Sequence, residues 1–401
     1  MRGRLRFILL TCIAVAPITI SQTSPSATAD PTPPPPSAYA GDAACAKCHR
    51  KESEFYGLTP HARDSAPATA ETITGSFKSP HNVLHTSNPN LIVNMVATPD
   101  GFYQSAVNLA HPDNGLKERF DIVIGSGRHG QSYLYWDDDE LYELPVSYWT
   151  WDHEWVISPG FPAGQVHFDR PAVPRCLECH ASYFESLAPP QNRFAKDSLV
   201  LGIDCERCHG PGATHVKRER SAAPPARGSA AEAIVNPAHL TGDRQLGLCA
   251  LCHAGAVEPL RPPMTFVAGD NIRDYLAIRP ASSGAPVDVH GNQIGALEQS
   301  KCFTSGKMTC STCHNVHAKQ ENADSFSRHC LTCHSMQACG RYPTLGVAIR
   351  TKCVECHMPL EDSALITSKE GGRTLHALLR AHQIAIYRDA SERVESSLKS
   401  K

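Results

Sequence analysis

The pattern Cys-x-x-Cys-His occurs seven times in this chain of 401 residues, beginning at positions 45, 176, 205, 249, 310, 330 and 353. Such a pattern is typical of covalent haem attachment, in which both thiols bond to the porphyrin and the adjoining histidine binds the iron. Cysteines three positions apart lie on one helical turn, so both sulfurs can reach the same edge of a porphyrin. The repeats therefore predict seven haem c groups and a chemistry of electrons moving through iron.

The repeats use fourteen of the 17 cysteines, and each copy supplies two predicted attachment cysteines and one predicted iron ligand. These residues are Cys45, Cys48, His49, Cys176, Cys179, His180, Cys205, Cys208, His209, Cys249, Cys252, His253, Cys310, Cys313, His314, Cys330, Cys333, His334, Cys353, Cys356 and His357. Structural zinc and a disulfide framework are the alternatives for paired cysteines. Neither requires a histidine directly after the second cysteine in every copy, so the pattern favours haem.

The N-terminus has the layout of a secretory signal peptide. Arg2, Arg4 and Arg6 precede an apolar run over residues 7–20, and Ala27-Thr28-Ala29 resembles a cleavage site. An uncleaved anchor is the alternative, although the run is shorter than the ~20 residues of a membrane span. We therefore expect export to the periplasm or cell surface, with no membrane span in the mature chain.

Seven haems share a short mature chain, so little polypeptide is left to build an apolar core around each ring. The predicted fold class is mainly α and irregular, with a haem-dominated core and a small antiparallel β insert between repeats one and two. The predicted segments are a signal peptide (1–29), a proline-rich linker (30–40), a first haem segment (41–65), a β-rich insert (66–170), a six-haem domain (171–366) and a C-terminal helix and tail (367–401). The formal charge of −2 gives no sign of nucleic-acid binding.

Alternating apolar and polar residues predict strands in the insert at 91–97, 102–107, 119–124, 131–136 and 141–146. All four tryptophans lie in this region and are predicted to form its core, with a binding platform as the alternative. The glycine-rich residues 125–130 are predicted to connect two strands. Helical spacing of leucines predicts a terminal helix over residues 374–398.

Each predicted haem iron has a second axial position. Fourteen histidines lie outside the repeats, against five methionines after Met1, so bis-histidine ligation is expected at most sites. Such irons are saturated, which suits them to passing electrons rather than binding substrate.

Three segments carry a resemblance to a known family: 205–215, 310–317 and 353–359. They look like the multihaem cytochrome superfamily of the nitrifier tetrahaem cytochrome, hydroxylamine oxidoreductase and pentahaem nitrite reductase. The resemblance covers 41–65 and 173–385 and leaves the β insert unexplained. It implies that His215 and His317 are distal ligands to haems other than their neighbours. His61 and His382 are similar to further distal ligands of that family.

His239 and His290 are additional candidates for distal ligands, followed by His85, His129, His329 and His376. Cys302 and Cys339 lie outside the repeats in a protein expected to be exported. They are predicted to form a disulfide, with two free thiols as the alternative.

The favoured function is electron relay in a respiratory chain, anaerobic by expectation, between a redox donor such as a membrane quinol-oxidising complex and a redox acceptor. The alternatives are an oxidoreductase acting on a small nitrogen or sulfur compound at one open haem, and a subunit that docks through the β insert. The lysine-bearing C-x-x-C-K motif of the nitrite reductases does not occur in the sequence. No tyrosine corresponds to the one that marks hydroxylamine oxidoreductase, so electron transfer is favoured over catalysis.

Overall fold

The computed structural model describes residues 31–187, 189–221, 233–278, 291–306, 308–319 and 322–400. The residues from Thr32 onward belong to one unit. The predicted signal peptide and the candidate ligand His290 lie outside the described residues.

The described residues contain seventeen strands. They are Ser65–Pro67 (β1), Val83–His85 (β2), Leu91–Thr98 (β3), Gly101–Asn108 (β4), Leu116–Arg119 (β5), Ile122–Ile124 (β6), Gly130–Asp137 (β7), Glu140–Glu143 (β8), Val146–Trp149 (β9), Glu154–Ile157 (β10), Arg170–Pro171 (β11), Ala181–Tyr183 (β12), Val200–Leu201 (β13), Glu258–Pro259 (β14), Leu276–Ala277 (β15), Leu360–Glu370 (β16) and Arg373–Arg380 (β17).

Twelve α-helices accompany them in the same part of the chain. They are Asp42–Cys45 (α1), Arg50–Tyr56 (α2), Pro174–His180 (α3), Cys205–His209 (α4), Ala213–Glu219 (α5), Gly242–His253 (α6), Gln293–Glu298 (α7), Lys301–Thr304 (α8), Ala323–Cys330 (α9), Tyr342–Leu345 (α10), Cys353–His357 (α11) and Arg388–Lys399 (α12). Short 3₁₀ helices occur at Pro36–Ala38, Pro112–Asn114, Lys196–Ser198, Pro237–His239, Ile272–Asp274, Cys310–Thr312, Met336–Ala338 and Gly346–Thr351. None of these described helices has the length and apolarity needed to cross a bilayer.

Two antiparallel sheets form the insert between the first two repeats. One has the order β2-β3-β4-β5, and the other has the order β1-β6-β7-β8-β11, with β9 paired to β7 and β10. The predicted hairpin of β3 and β4 is confirmed, with Leu91 opposite Asn108 and Thr98 opposite Gly101. The glycine-rich residues 125–130 connect β6 to β7, as predicted.

Two predicted strands are each divided in the structure. The predicted strand 119–124 becomes β5 and β6 because Phe120 donates its N–H to Phe102 on β4, whereas Asp121 donates to Leu134 on β7. The predicted strand 141–146 is divided between β8 and β9 around Pro145, which has no N–H for a sheet ladder.

The predicted fold class is wrong, because the described residues are about 31% helix and 24% strand and contain several antiparallel sheets. Strand pairs also occur outside the insert, as β12–β13, β14–β15 and β16–β17. The largest error is in the predicted C-terminal helix, whose first part is strand β17. Leu375 pairs with Ser368 and Leu378 with Asp362 across a turn formed by Gly371 and Gly372. Both glycines have positive φ, which closes this hairpin, and only the later part of the prediction is helical, as α12.

The buried residues join the insert to the repeat-bearing helices. Ile122 and Leu134 of the insert form one apolar cluster with Leu177 of α3 and with Met264. The tryptophans are divided among clusters, so the prediction that they form one core is wrong. Trp155 lies in the main core of the insert, Trp136 packs on the cluster that contains Leu177, and Trp149 and Trp151 pack against Ala377 of β17.

Candidate haem sites

Each repeat is built on a tight turn of the backbone. The motif histidine donates its backbone N–H to the carbonyl of the first motif cysteine at 2.9 Å in the repeats that begin at Cys45, Cys310 and Cys330. Local capping sets this turn in repeat three, where the Asp204 carboxylate accepts from the N–H groups of Glu206 and Arg207. The two thiols and the imidazole of a repeat therefore leave one turn of backbone.

A single cavity of about 2550 Å³ contains residues from the first five repeats. Its walls include His49, His180, His209, His253 and His314. Ordinary small-molecule sites measure about 300–1,000 Å³, so this space exceeds the needs of one small ligand. The cavity can hold several large groups side by side.

Thiols of different repeats lie next to one another. Four pairs of thiols from different repeats are close enough to influence each other's pKa: Cys45 and Cys205, Cys179 and Cys252, Cys249 and Cys310, and Cys330 and Cys353. Charge interactions also link other repeats: Cys208 raises the pKa of Cys249, and Cys313 raises the pKa of Cys330. These mutual influences link the repeats in the order one, three, four, five, six and seven, with repeat two linked to repeat four.

The predicted disulfide between Cys302 and Cys339 is wrong for this structure, in which both are free thiols. Each lies close to a different repeat. Cys302 is near enough to raise the pKa of the Cys313 thiol, and Cys339 is near enough to raise the pKa of the Cys356 thiol. The fold therefore directs the two cysteines to separate places rather than to each other.

Three motif histidines face a histidine from elsewhere in the chain. The ring centroids of His253 and His61 are 6.1 Å apart, those of His209 and His317 are 6.0 Å apart, and those of His314 and His382 are 6.4 Å apart. Two imidazoles bound to opposite sides of one metal ion, with bonds of about 2.0–2.1 Å, have centroids about 6 Å apart. The three spacings therefore fit one iron between the rings of each pair.

The charges and unpaired donors of the cavity also fit haem. Burial lowers the pKa of His253 to about 4 and lowers the pKa values of His61, His209 and His382, which favours the neutral imidazole that binds metals.

Buried donors without a protein partner include Arg207 Nε and Trp151 Nε1, and both residues line the cavity. The propionate groups of haem are acceptors for such donors.

Three motif histidines are oriented by contacts at their Nδ1 nitrogen. His209 Nδ1 donates to the Val235 carbonyl at 2.8 Å, and His357 Nδ1 donates to the Ala385 carbonyl at 2.7 Å. His180 Nδ1 instead contacts the Asp64 carboxylate at 2.7 Å. Burial alone would lower the pKa of His180, but the charge and hydrogen bond of Asp64 raise it above its ordinary value.

The structure places the other predicted ligands less decisively. His215 on α5 and His239 line the cavity, as do His129 and His329. His129 packs against Trp151 with ring centroids 5.8 Å apart. His376 Nδ1 donates to the Ser363 carbonyl, and His85 is exposed on β2. For these histidines, ligation stays a prediction.

Sequence reasoning missed Asp64, and no motif marks it. It lies on the turn that begins at His61, closed by a hydrogen bond of 3.1 Å from the Asp64 N–H to the His61 carbonyl. Its spacing from His61 was visible in the sequence, but its contact with His180, far along the chain, was not.

Residues 163–210 match a protein-family model described as cytochrome c554 and c-prime. This stretch contains repeats two and three and is less than half of the chain. No curated protein matches the sequence.

Two solved structures align with this chain. The outer cell wall cytochrome OcwA aligns over 90% of this chain and 82% of its own, with a TM-score of 0.54 and 15% identity. An undecahaem cytochrome from the S-layer of Carboxydothermus ferrireducens aligns over 89% of this chain and 53% of its own, with a TM-score of 0.41 and 15% identity. The fold of this chain therefore resembles that of the outer cell wall cytochrome OcwA.

Proposed function

We propose that this chain is an exported c-type cytochrome that carries seven covalent haems and relays single electrons among them. The main support is the coincidence of chemistry and geometry at the repeats. The sequence supplies the thiols and a histidine, and the fold sets a second histidine about 6 Å from the motif histidine at three of them. The match of residues 163–210 to a cytochrome family adds independent support.

Haem would supply the iron chemistry, and the protein would supply ligands, spacing and insulation. We assign His61 and His253 to the iron of repeat four, His317 and His209 to that of repeat three, and His382 and His314 to that of repeat five. With two histidines at each of these sites, the iron would have no position open to substrate, and the haem would supply electron transfer. His215, His239 and His290 are proposed as ligands for the remaining repeats.

The contacts between repeats support a relay rather than seven separate centres. Since each thioether bond fixes an edge of a porphyrin to its cysteine, two neighbouring thiols hold two porphyrin edges close together. The neighbouring thiol pairs Cys45–Cys205, Cys249–Cys310 and Cys330–Cys353 would thus supply short steps between haems. We infer a path through repeats one, three, four, five, six and seven, with repeat two joining at repeat four.

We place this relay in the periplasm or at the cell surface. The predicted signal peptide and the extracellular maturation of haem c support export, and the similar fold of an outer cell wall cytochrome is consistent with it. The proposed partners are redox proteins: a donor, which a quinol-oxidising complex would suit, and an acceptor in anaerobic respiration. The finer assignment to the superfamily of hydroxylamine oxidoreductase and pentahaem nitrite reductase is part of this proposal.

The decisive test is intact mass together with thiol labelling of the protein matured in a host that attaches haem c. We expect the mass of the chain from about residue 30 plus seven haems. After denaturation and reduction, iodoacetamide should label Cys302 and Cys339 alone among the cysteines of the mature chain. Labelling of any repeat cysteine would remove that repeat from the relay, and a colourless protein without added haem mass would refute the proposal. Electron paramagnetic resonance of the oxidised protein should then show predominantly low-spin iron.

A further inference from the structure

Asp64 joins two of the proposed haem sites. Its carboxylate contacts His180 Nδ1 of repeat two at 2.7 Å, and its backbone N–H closes the turn that begins at His61. The negative charge of Asp64 also favours the protonated forms of His61 and His253, which are assigned to the iron of repeat four. One short turn therefore carries a ligand of one site and the imidazole partner of another.

The backbone around Asp64 is anchored to His180 independently of the carboxylate. The next residue, Ser65, is buried and donates its hydroxyl to the His180 carbonyl. Ser65 also accepts from the Gly202 N–H at 2.8 Å and pairs with Ile124 in the sheet. Strand β1 and the end of α3 are thus held together, so the contact of Asp64 with the imidazole is built into the fold.

The chemical character of this partner distinguishes repeat two. His209 and His357 donate to neutral backbone carbonyls, and the Gln293 side chain that acts on the pKa of His253 is also neutral. A carboxylate at the second nitrogen draws the shared proton toward itself and makes the nitrogen that faces the metal a stronger donor. A stronger donor stabilises the ferric state relative to the ferrous state.

We propose that Asp64 is a positioning residue that orients His180 and lowers the reduction potential of the haem at repeat two below those of repeats three and seven. This inference rests on the proposed haem function. It assigns repeat two a distinct place in the relay, as a low-potential centre joined to the path at repeat four through the neighbouring thiols of Cys179 and Cys252. Electrons entering at this centre would run downhill into the path.

The test is a spectroelectrochemical titration of the haem-loaded protein and its Asp64→Asn variant. Asparagine keeps the size of the side chain and an oxygen that can accept from the imidazole, and it removes the negative charge. We expect the redox transition of repeat two, the lowest in the parent protein or close to it, to move furthest toward positive potential, with a smaller shift at repeat four. Asp139→Asn is the matched control, because Asp139 carries the same charge and pairs with Arg193 away from the cavity lining. This control should leave every transition in place.

Haem content, measured on the same samples, separates the two proposals. If seven haems are present and the Asp64→Asn titration superimposes on the parent, the Asp64 inference is wrong and the haem function stands. If haems are missing from the parent protein, the haem function itself fails. Should Asp64→Asn not fold, Asp64→Glu provides the second measurement, since it keeps the charge but displaces the carboxylate from Nδ1. A smaller positive shift of the same transition is expected with glutamate, and an unchanged titration would overturn the inference.

Discussion

The imidazole rings of His314 and His382 lie nearly parallel, at 19°, with centroids 6.4 Å apart. His382 follows strand β17, and its Nδ1 donates to the Arg380 carbonyl at 3.0 Å. That hydrogen bond leaves the other ring nitrogen, Nε2, free to bind a metal. The C-terminal hairpin thereby delivers a histidine to a repeat about seventy residues earlier in the sequence.

Replacing His382 with alanine should open one axial position without detaching any haem. The thioether bonds are made by the repeat cysteines, so the intact mass should still include seven haems. We expect electron paramagnetic resonance to show one high-spin iron in place of one low-spin iron. His382→Met should keep that iron low-spin and raise its potential.

The control for this experiment is His85→Ala, which removes an exposed histidine of the insert. Its spectrum should match the parent. A parent-like spectrum from His382→Ala would show that His382 does not bind the iron of repeat five.

The protein without haem should have unequal thiols at repeats six and seven. The neighbouring Cys330 thiol lowers the pKa of the Cys353 thiol, and Cys353 in turn contributes to raising the pKa of Cys330. Since the thiolate is the nucleophile, Cys353 should be alkylated faster than Cys330 near neutral pH. Peptide mass spectrometry after brief iodoacetamide treatment measures both rates. Equal rates would contradict the contact, and Cys330→Ser should reduce the advantage of Cys353.

Gly75 has no room for a side chain. A Cβ added there would lie 2.2 Å from the nearest atom of the Trp155 indole, which is buried in the main core of the insert. Gly75→Ala should therefore destabilise the insert by about 1–3 kcal/mol, the usual effect of overpacking a core. The matched control is Gly340→Ala, because a Cβ at Gly340 meets no atom within 4 Å. Thermal unfolding followed by far-UV circular dichroism should show a lower midpoint for the first variant only.

Asp204 should make stability depend on pH in a mildly acidic range. Burial, followed by the charges of Asp42 and Glu206, raises its pKa to about 6. An unfolded aspartate has a pKa of about 3.9. At pH values between about 3.9 and 6, the folded state therefore binds more protons than the unfolded state. The contribution of Asp204 to the free energy of unfolding should thus fall as pH rises from about 4 to 6, by about 1.4 kcal/mol for each unit of pKa shift.

The Asp204→Asn variant tests this directly, because asparagine can still cap α4 but does not titrate. Its stability relative to the parent should increase from pH 4 to pH 6 in denaturant unfolding. Asp139→Asn, at a partly buried carboxyl whose pKa is lowered by hydrogen bonding to Arg193, should show no such relative gain. A constant difference between the parent and Asp204→Asn across this range would contradict the raised pKa.

Local features of this protein could be predicted from its sequence. The predicted turn geometry of the repeats and the hairpin of β3 and β4 depend on residues close together in the chain, and both occur in the structure. The C-terminal leucines misled the prediction because Leu375, Leu378 and Leu379 fit a helical face as well as a strand. Partner strand β16 decides between the two, and a periodicity within one segment carries no information about its partner.

The sequence by itself determined the chemistry at each repeat, since the two cysteines and the histidine act within five consecutive residues. Only the tertiary structure decided which histidine faces which repeat, which thiols lie side by side, and that Asp64 contacts His180. These relationships join residues separated by tens to hundreds of positions, and they arise from how strands and helices pack. The donors are encoded locally, whereas their spacing and electrostatic surroundings are properties of the folded chain.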